Sequence, residues 1–371
     1  MKKFLHTAVV RWISSIRSVH AIDPGRIACI ELSRMGDVLV MLPALRLLRT
    51  GFPSSEIIAV VQQPYAGFLR LLGIVDGVIG IEKRNILSTV KILRTREVTL
   101  ACSMSPATTN AFCALFGARA SIGYLGAPDT LPGILDRSTV TGIGAEVAGH
   151  DYFMENLYQR GAKICRSLGI QTEPLPTAMA IDADWEHASV EILHTLDLAI
   201  HSNYIILHPL AGWEFRMWPV ERWRRLLEMI IGRTTFDCLL ISSANERARI
   251  EAIAPGNPRI RCVAGLPVEH LAVLMKRSAG FIGNDSGPIH IAAALGIPVI
   301  GLFGPADPRY TAPTFGHCRY FFQRLECSPC SQRRCVRPRN SCMMQLDPDS
   351  IFNAIEEFFG TPSVQTGGRN S

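Results

Sequence analysis

Twice along this chain, short apolar runs alternate with helix-length amphipathic runs, and that alternation leaves few folds open. In the first half IACIEL (27–32), EIIAVV (56–61), VIGIE (78–82), VTLAC (98–102) and Ala120–Tyr124 read as strands. Helix-like runs separate them: VLVMLPALRLLR, GFLRLL, ILSTVKILRTR and AFCALFG. Near-continuous apolar strands are buried on both faces, and helices between them cross over to make a parallel, doubly wound sheet. Pro43 falls inside the first helical run, where it must kink the helix or open a fresh turn. The alternation lapses after residue 124, leaving Tyr152–Leu168 as the one clear amphipathic helix before a boundary rich in proline and polar residues. It restarts with YIILH (204–208), DCLLIS (237–242), Arg259–Val263, Phe281–Gly283 and Val299–Phe303, again with helices between. At 371 residues, two domains are the default. The expected division is a basic amphipathic extension (1–25), a first α/β domain (26–180), a linker (181–202), a second α/β domain (203–360) and a flexible tail (361–371).

Doubly wound sheets bind ligands beyond the carboxyl ends of their strands. Two polar turns lie at such ends. Ser33-Arg34-Met35-Gly36 leads into Asp37, and Asn284-Asp285-Ser286-Gly287-Pro288 leads into the helical run Ile289–Leu295. The N–H groups that open a helix have no partner within it, and they suit a phosphate. Gly287 lets a ligand approach the backbone, and Pro288 is pre-set for a first helical turn. The plainer reading makes Asp37, Asp285 or Ser286 simply helix caps.

The formal charge of +6 is too mild to point to nucleic acid; it suits an anionic substrate or an anionic membrane surface. No apolar run has the length of a membrane span. In the first 25 residues Arg11 and Arg17 interrupt the apolar run, which argues against a secretory signal. Two readings stay open for that segment: a helix lying on a membrane surface, or a packed terminal helix. Seven of the 11 cysteines are scattered through apolar stretches as small core residues, and the odd count fits a reducing cytoplasm.

Three segments carry a family resemblance: GDVLVMLPALRLLR (36–49), HPLAGWEFRMWPVERW (208–223) and GNDSGPIHIAAALGIPVIGLFGPADP (283–308). Together, in this order, they resemble the glycosyltransferase 9 family, the bacterial lipopolysaccharide heptosyltransferases. The resemblance implies the GT-B architecture, two Rossmann-like doubly wound domains facing across a cleft. The acceptor would bind mainly to the first domain and the sugar nucleotide to the second. It further implies heptose transfer from ADP-heptose with inversion and no catalytic metal, onto a lipopolysaccharide core acceptor of the Kdo–lipid A type. The setting would be the cytoplasmic face of the inner membrane, by peripheral contact. The late cysteine pattern resembles the branch that contains heptosyltransferase II.

By the same resemblance Asp37 is the general base, with Ser33, Arg34 and Gly36 shaping the acceptor pocket. Arg216 stands where the family has a basic residue, often Lys, on the diphosphate; Glu214 nearby offers it a plain surface partner. Ser286 and Gly287 would supply N–H groups to the phosphates, and Asp285 would bind sugar hydroxyls. His290, one turn on, either faces that ligand or fills the core. Glu246 matches a position near the ribose, though a helix-start Glu needs no ligand. Ala211 and Gly212 are small enough to admit the diphosphate. Trp213 and Trp218 flank the expected cleft, or pack in the core.

Cys327, Cys330, Cys335 and Cys342 cluster late in the chain, with five arginines around them (Arg324, Arg333, Arg334, Arg337 and Arg339). A structural zinc and free or reversibly paired thiols are both open, although the spacing matches no standard zinc signature. No other cofactor is expected. Two rival functions share the fold. A sugar-nucleotide 2-epimerase would need a different acid/base set. A nucleotide-sugar-binding protein would have no need of Asp37.

Overall fold

A computed structural model of the chain describes residues 24–82, 85–105, 110, 113–114, 117–123, 156–172, 190–191, 193–195, 203–254, 256–328, 330 and 335–360. The expected extension, most of the expected linker and the tail fall outside these residues. The chain separates into two compact units, Met1–Pro176 and Thr177–Ser371.

The first unit runs β1 (Arg26–Glu31), α1 (Met35–Val40), α2 (Leu42–Gly51), β2 (Glu56–Gln62), α3 (Gln63–Leu71), β3 (Gly77–Ile81), α4 (Ile86–Thr95), β4 (Leu100–Ser103), β5 (Ala120–Gly123) and α5 (Leu157–Ser167). Its strands lie in the order β3-β2-β1-β4-β5, every pair parallel. The chain winds outward from β1 to one side and then restarts at β4 on the other. The end of β1 is therefore a topological switch point, where a crevice opens. Pro43 opens a fresh helix: α1 stops at Val40, and Pro43 sits in the first turn of α2. There its missing N–H is not needed. Leu42, Ala44, Leu45, Leu47 and Leu48 bury one face of α2, which packs on α5. On one side of the sheet, Ala28, Ile30, Ile58, Val60 and Ala101 meet Val90 and Leu93 of α4. Each fully buried aliphatic side chain there contributes about 1.5–3 kcal/mol.

The second unit continues with β6 (Tyr204–His208), α6 (Val220–Arg233), β7 (Asp237–Ser242), α7 (Arg247–Ile253), β8 (Ile260–Ala264), α8 (Val268–Arg277), β9 (Gly280–Asn284), α9 (Gly287–Ala294), β10 (Val299–Phe303), α10 (Pro308–Thr311), β11 (Cys318–Phe322) and α11 (Pro348–Phe359). Its order is β11-β10-β9-β6-β7-β8, again parallel throughout. The switch point here lies between β6 and β9. All of Ile289–Ala294 is buried, because α9 packs on β9, β10 and α8 at once. Its sequence consequently has no polar face. Among the described residues, each unit shows the expected Rossmann-like, doubly wound sheet.

Candidate active site

Each switch point gathers polar residues that the sequence analysis singled out. In the first unit Asp37 occupies the first turn of α1 and is half-buried. Its Oδ2 accepts the Arg34 N–H at 3.2 Å, and its own N–H donates to the Arg34 carbonyl at 3.0 Å. The capping role is therefore real, and it sets the carboxylate at the end of β1. Arg34 is exposed, while Ser33 and Gly36 are half-buried beside it.

Sequence reasoning passed over the residues that hold this turn. Glu31, the last residue of β1, is fully buried. Its Oε1 accepts the Ser33 N–H at 2.9 Å and Asn110 Nδ2 at 3.0 Å. Burial, then the nearby Asp37 charge, pushes the Glu31 carboxyl above its ordinary range; Ser105, Ser33 and Asn110 pull the other way. Burial likewise raises the Tyr65 hydroxyl, whose bond to the Met35 backbone places it against the same turn. Glu31 read only as part of an apolar strand, and its partner Asn110 lies 79 residues away.

In the second unit β6, β7 and β9 end together. Asn284 is fully buried at the end of β9, with Asp285 and Ser286 next in the chain. Its Nδ2 donates to the Pro209 carbonyl at 2.7 Å, and its Oδ1 accepts the Trp218 N–H at 3.2 Å. One amide thus pins both ends of the loop that carries Ala211, Gly212 and Arg216. Ala211 is buried and Gly212 exposed. Arg216 reaches back across this loop to Asp285, Nη1 to Oδ2 at 3.0 Å. This inward partner comes from the turn after β9, where the sequence had offered the neighbouring Glu214. Burial raises the Asp285 carboxyl, and Arg216 draws it back down.

Ser286 stands at the N-cap of α9, yet its side chain makes no capping bond. Its hydroxyl donates to the Asn284 carbonyl at 2.9 Å and lies 3.0 Å from His208 Nδ1. With the hydroxyl proton committed to Asn284, Nδ1 of His208 carries the hydrogen and donates, leaving Nε2 as the acceptor. Desolvation holds the His208 imidazole down at about 4, with the Glu246 charge opposing. His290 is buried one turn into α9, its pKa lowered to about 4 by burial and then by Arg216. Both rings are thus neutral at pH 7. His208 closes a strand named in the sequence analysis, but its partner Ser286 is 78 residues on.

Glu246 stands at the N-cap position of α7, at the end of the loop after β7, without a side-chain capping bond. It accepts from the Ser243 hydroxyl and pairs with Arg249 at 3.1 Å. Arg249 also touches Met217 Sδ at 3.0 Å, which ties the Glu246 loop to the residue after Arg216. Trp213 is 41% exposed, whereas Trp218 is buried edge-on against Trp223 at 5.2 Å. Trp218 is therefore the core tryptophan of the two. The arrangement offers a guanidinium, a helix start without a side-chain cap and neutral imidazoles at one strand end. Donors of that kind suit an anion such as a diphosphate.

Cys327, Cys330, Cys335 and Cys342 all line one cavity of about 140 Å³, together with Phe215, Pro305 and Leu325. Among the described residues, no three His, Cys, Asp or Glu side chains are grouped to hold a metal ion. Residues 331–334, with two of the five neighbouring arginines, lie outside the described residues.

Residues 157–340 match the sequence model of glycosyltransferase family 9 (heptosyltransferase). Lipopolysaccharide heptosyltransferase 1 of Pseudomonas aeruginosa is 25% identical over 176 residues, covering 43% of this chain and 49% of the relative. The match thus spans about half of that protein's length. Lipopolysaccharide heptosyltransferase 3 of Escherichia coli is 24% identical over 294 residues, covering 75% of this chain and 83% of the relative. Among solved structures, the E. coli ADP-heptose lipopolysaccharide heptosyltransferase II superposes with a TM-score of 0.72 at 19% identity. That superposition covers 90% of this chain and 98% of the other.

Proposed function

The chain belongs to glycosyltransferase family 9, and from that premise we propose that it transfers a heptose from ADP-heptose to the lipopolysaccharide inner core, with inversion and without a catalytic metal. The observation that carries the donor half is the cluster Arg216–Asp285–Ser286–His208 at the second switch point. It presents cationic and N–H donors of the kind an ADP diphosphate requires. The relatives' names supply the sugar and the acceptor class.

In the proposed reaction Asp37 takes the proton of an acceptor hydroxyl. The freed oxygen forms the new bond to the anomeric carbon from the face opposite ADP. The old carbon–oxygen bond to the β-phosphate breaks, and ADP leaves with the electron pair. Arg216 and the opening N–H groups of α9 stabilise the charge that develops on that phosphate. Asp285 holds the guanidinium in place. Ser33, Arg34 and Gly36 border the acceptor, and Glu246, Ala211 and Gly212 border the nucleotide.

No helix among the described residues is long and apolar enough to cross a membrane. The lipid-linked acceptor would be met by peripheral contact at the cytoplasmic face of the inner membrane. The test is ADP release from ADP-heptose in EDTA, with and without Kdo–lipid A bearing one heptose. Acceptor-dependent release that collapses in Asp37→Asn supports the reading. Donor binding without release by the wild type sinks it in favour of a binding protein.

A further inference from the structure

Every backbone polar group of Leu32 and Ser33 is held by a side chain. The Leu32 N–H donates to Asn110 Oδ1 at 2.9 Å, and the Ser33 N–H donates to Glu31 Oε1 at 2.9 Å. Gln62 Nε2 donates to both carbonyls at 2.6 Å. These three side chains come from the ends of β1 and β2 and from the segment after β4. They converge on the turn that leads to Asp37. Glu31 is the unusual member. It is fully buried, and its Oε2 has no hydrogen-bond partner. Hydrogen bonding alone would be served by a neutral amide at this position. A carboxyl left half-satisfied inside the protein is destabilising when ionised.

We infer that Glu31 is a positioning residue for the proposed base: it fixes the Leu32–Ser33 turn that aims Asp37. The inference rests on the reading of Asp37 as base. Asp37 from α1, Ser33 from the turn, and Ser105 and Asn110 after β4 face Glu31. Arg34 and Tyr65 face the Asp37 side. A turn pinned at each backbone polar group keeps the carboxylate in line with an acceptor hydroxyl, which is what a general base needs.

Glu31→Gln keeps a side-chain oxygen that accepts from Ser33 and Asn110, whereas Glu31→Ala removes it. Asn110→Ala loosens the same turn from the other side. In Glu31→Ala kcat falls about tenfold while donor KM stays within about twofold, and Glu31→Gln recovers kcat to within about threefold of the wild type. In Asn110→Ala kcat likewise falls about tenfold. The 13C carboxyl resonance of Asp37, assigned by its loss in Asp37→Asn, moves in Glu31→Ala and holds in Glu31→Gln. That readout needs no substrate. If the wild type transfers no heptose, the proposed function fails while the resonance still judges Glu31. An Asp37 resonance that holds its place in Glu31→Ala overturns the inference.

Discussion

Arg216 and Asp285 form an ion pair at 3.0 Å that ties the loop after β6 to the turn after β9, with side-chain exposures of 24% and 5%. The contact is off the angle of a good hydrogen bond, so Asp285 Oδ2 counts as buried and unsatisfied despite it. The pair is held by charge. Its guanidinium is a fork of several N–H donors, a geometry that a phosphate can engage. Arg216→Met is expected to raise donor KM at least about tenfold and to lower stability by about 1–3 kcal/mol, discounted from a fully buried pair because Arg216 is part-exposed. Combining Asp285→Asn with Arg216→Met removes the stranded carboxylate. Urea unfolding of the double variant should then show stability returning while donor affinity stays lost. Donor affinity that returns with stability would argue against Arg216 as a phosphate ligand.

The loop carrying Arg216 hangs on one buried amide. Asn284 gives a donor to Pro209 and an acceptor to Trp218. Asn284→Leu keeps the volume but strands both backbone groups, which is expected to cost about 2–4 kcal/mol. Donor KM should rise with it. Asn284→Asp keeps the acceptor for Trp218 and sets a negative charge against the Pro209 carbonyl, so it is expected to be no better. Thermal unfolding and donor titration on both variants check this. An Asn284→Leu protein with wild-type donor KM would separate the amide from the site.

The strands and the two polar turns were legible because their signal is local. YIILH, DCLLIS and VIGLF are apolar runs of strand length, and they form strands over those same residues. Pro43 marked a kink or a fresh turn by its missing N–H, and the fold takes the fresh turn. Glu31, Asn110, His208 and Asn284 were not legible as site residues, because each acts through a partner that only the fold brings near. His208 meets Ser286 across 78 positions, and Asn284 meets Pro209 across 75. β11 escaped notice for a different reason: as an edge strand its CRYFF run is only half-buried along its length, so neither face is marked. α11 did carry signals that went unread, with Asp347 capping the Ser350 N–H, Pro348 in the first turn and a left-handed Gly360 at its end.

Acid should weaken the second unit through His290. Its pKa is about 4 in the folded chain, against an ordinary value of 6.5. A group whose folded pKa is depressed contributes its full stability above the unfolded value. It loses that contribution as pH falls from 6.5 through 4, because the unfolded chain binds the proton first. The loss is expected to total roughly 3 kcal/mol at most. Urea unfolding at pH 8, 6 and 5 reads it as a falling midpoint. His290→Gln, which does not titrate, should remove about half of the fall, because His208 carries the same depressed pKa. An equally steep fall in the variant would assign the acid sensitivity elsewhere.

The two families of cysteine should part under alkylation. Burial pushes the Cys113 thiol to about 11 and Cys238 to about 12, and it raises Cys165 as well, while Cys29 is raised first by its contact with Cys102 and then by burial. At pH 8 these carry almost no thiolate, and iodoacetamide is expected to spare them in the folded protein. Cys327, Cys330 and Cys335 are half-buried on the wall of one cavity. Cys342 sits with them, its thiol raised by burial, with Cys330 and Cys335 adding to the rise. Their spacing along the chain matches no standard zinc signature, which favours thiols over a bound ion. Peptide mass spectrometry should therefore find label on the late cysteines first. Elemental analysis should find well under one zinc per chain. A stoichiometric zinc that shields all four cysteines until it is chelated would instead make this cavity a metal-closed one, with Phe215 and the Arg216 turn resting against it.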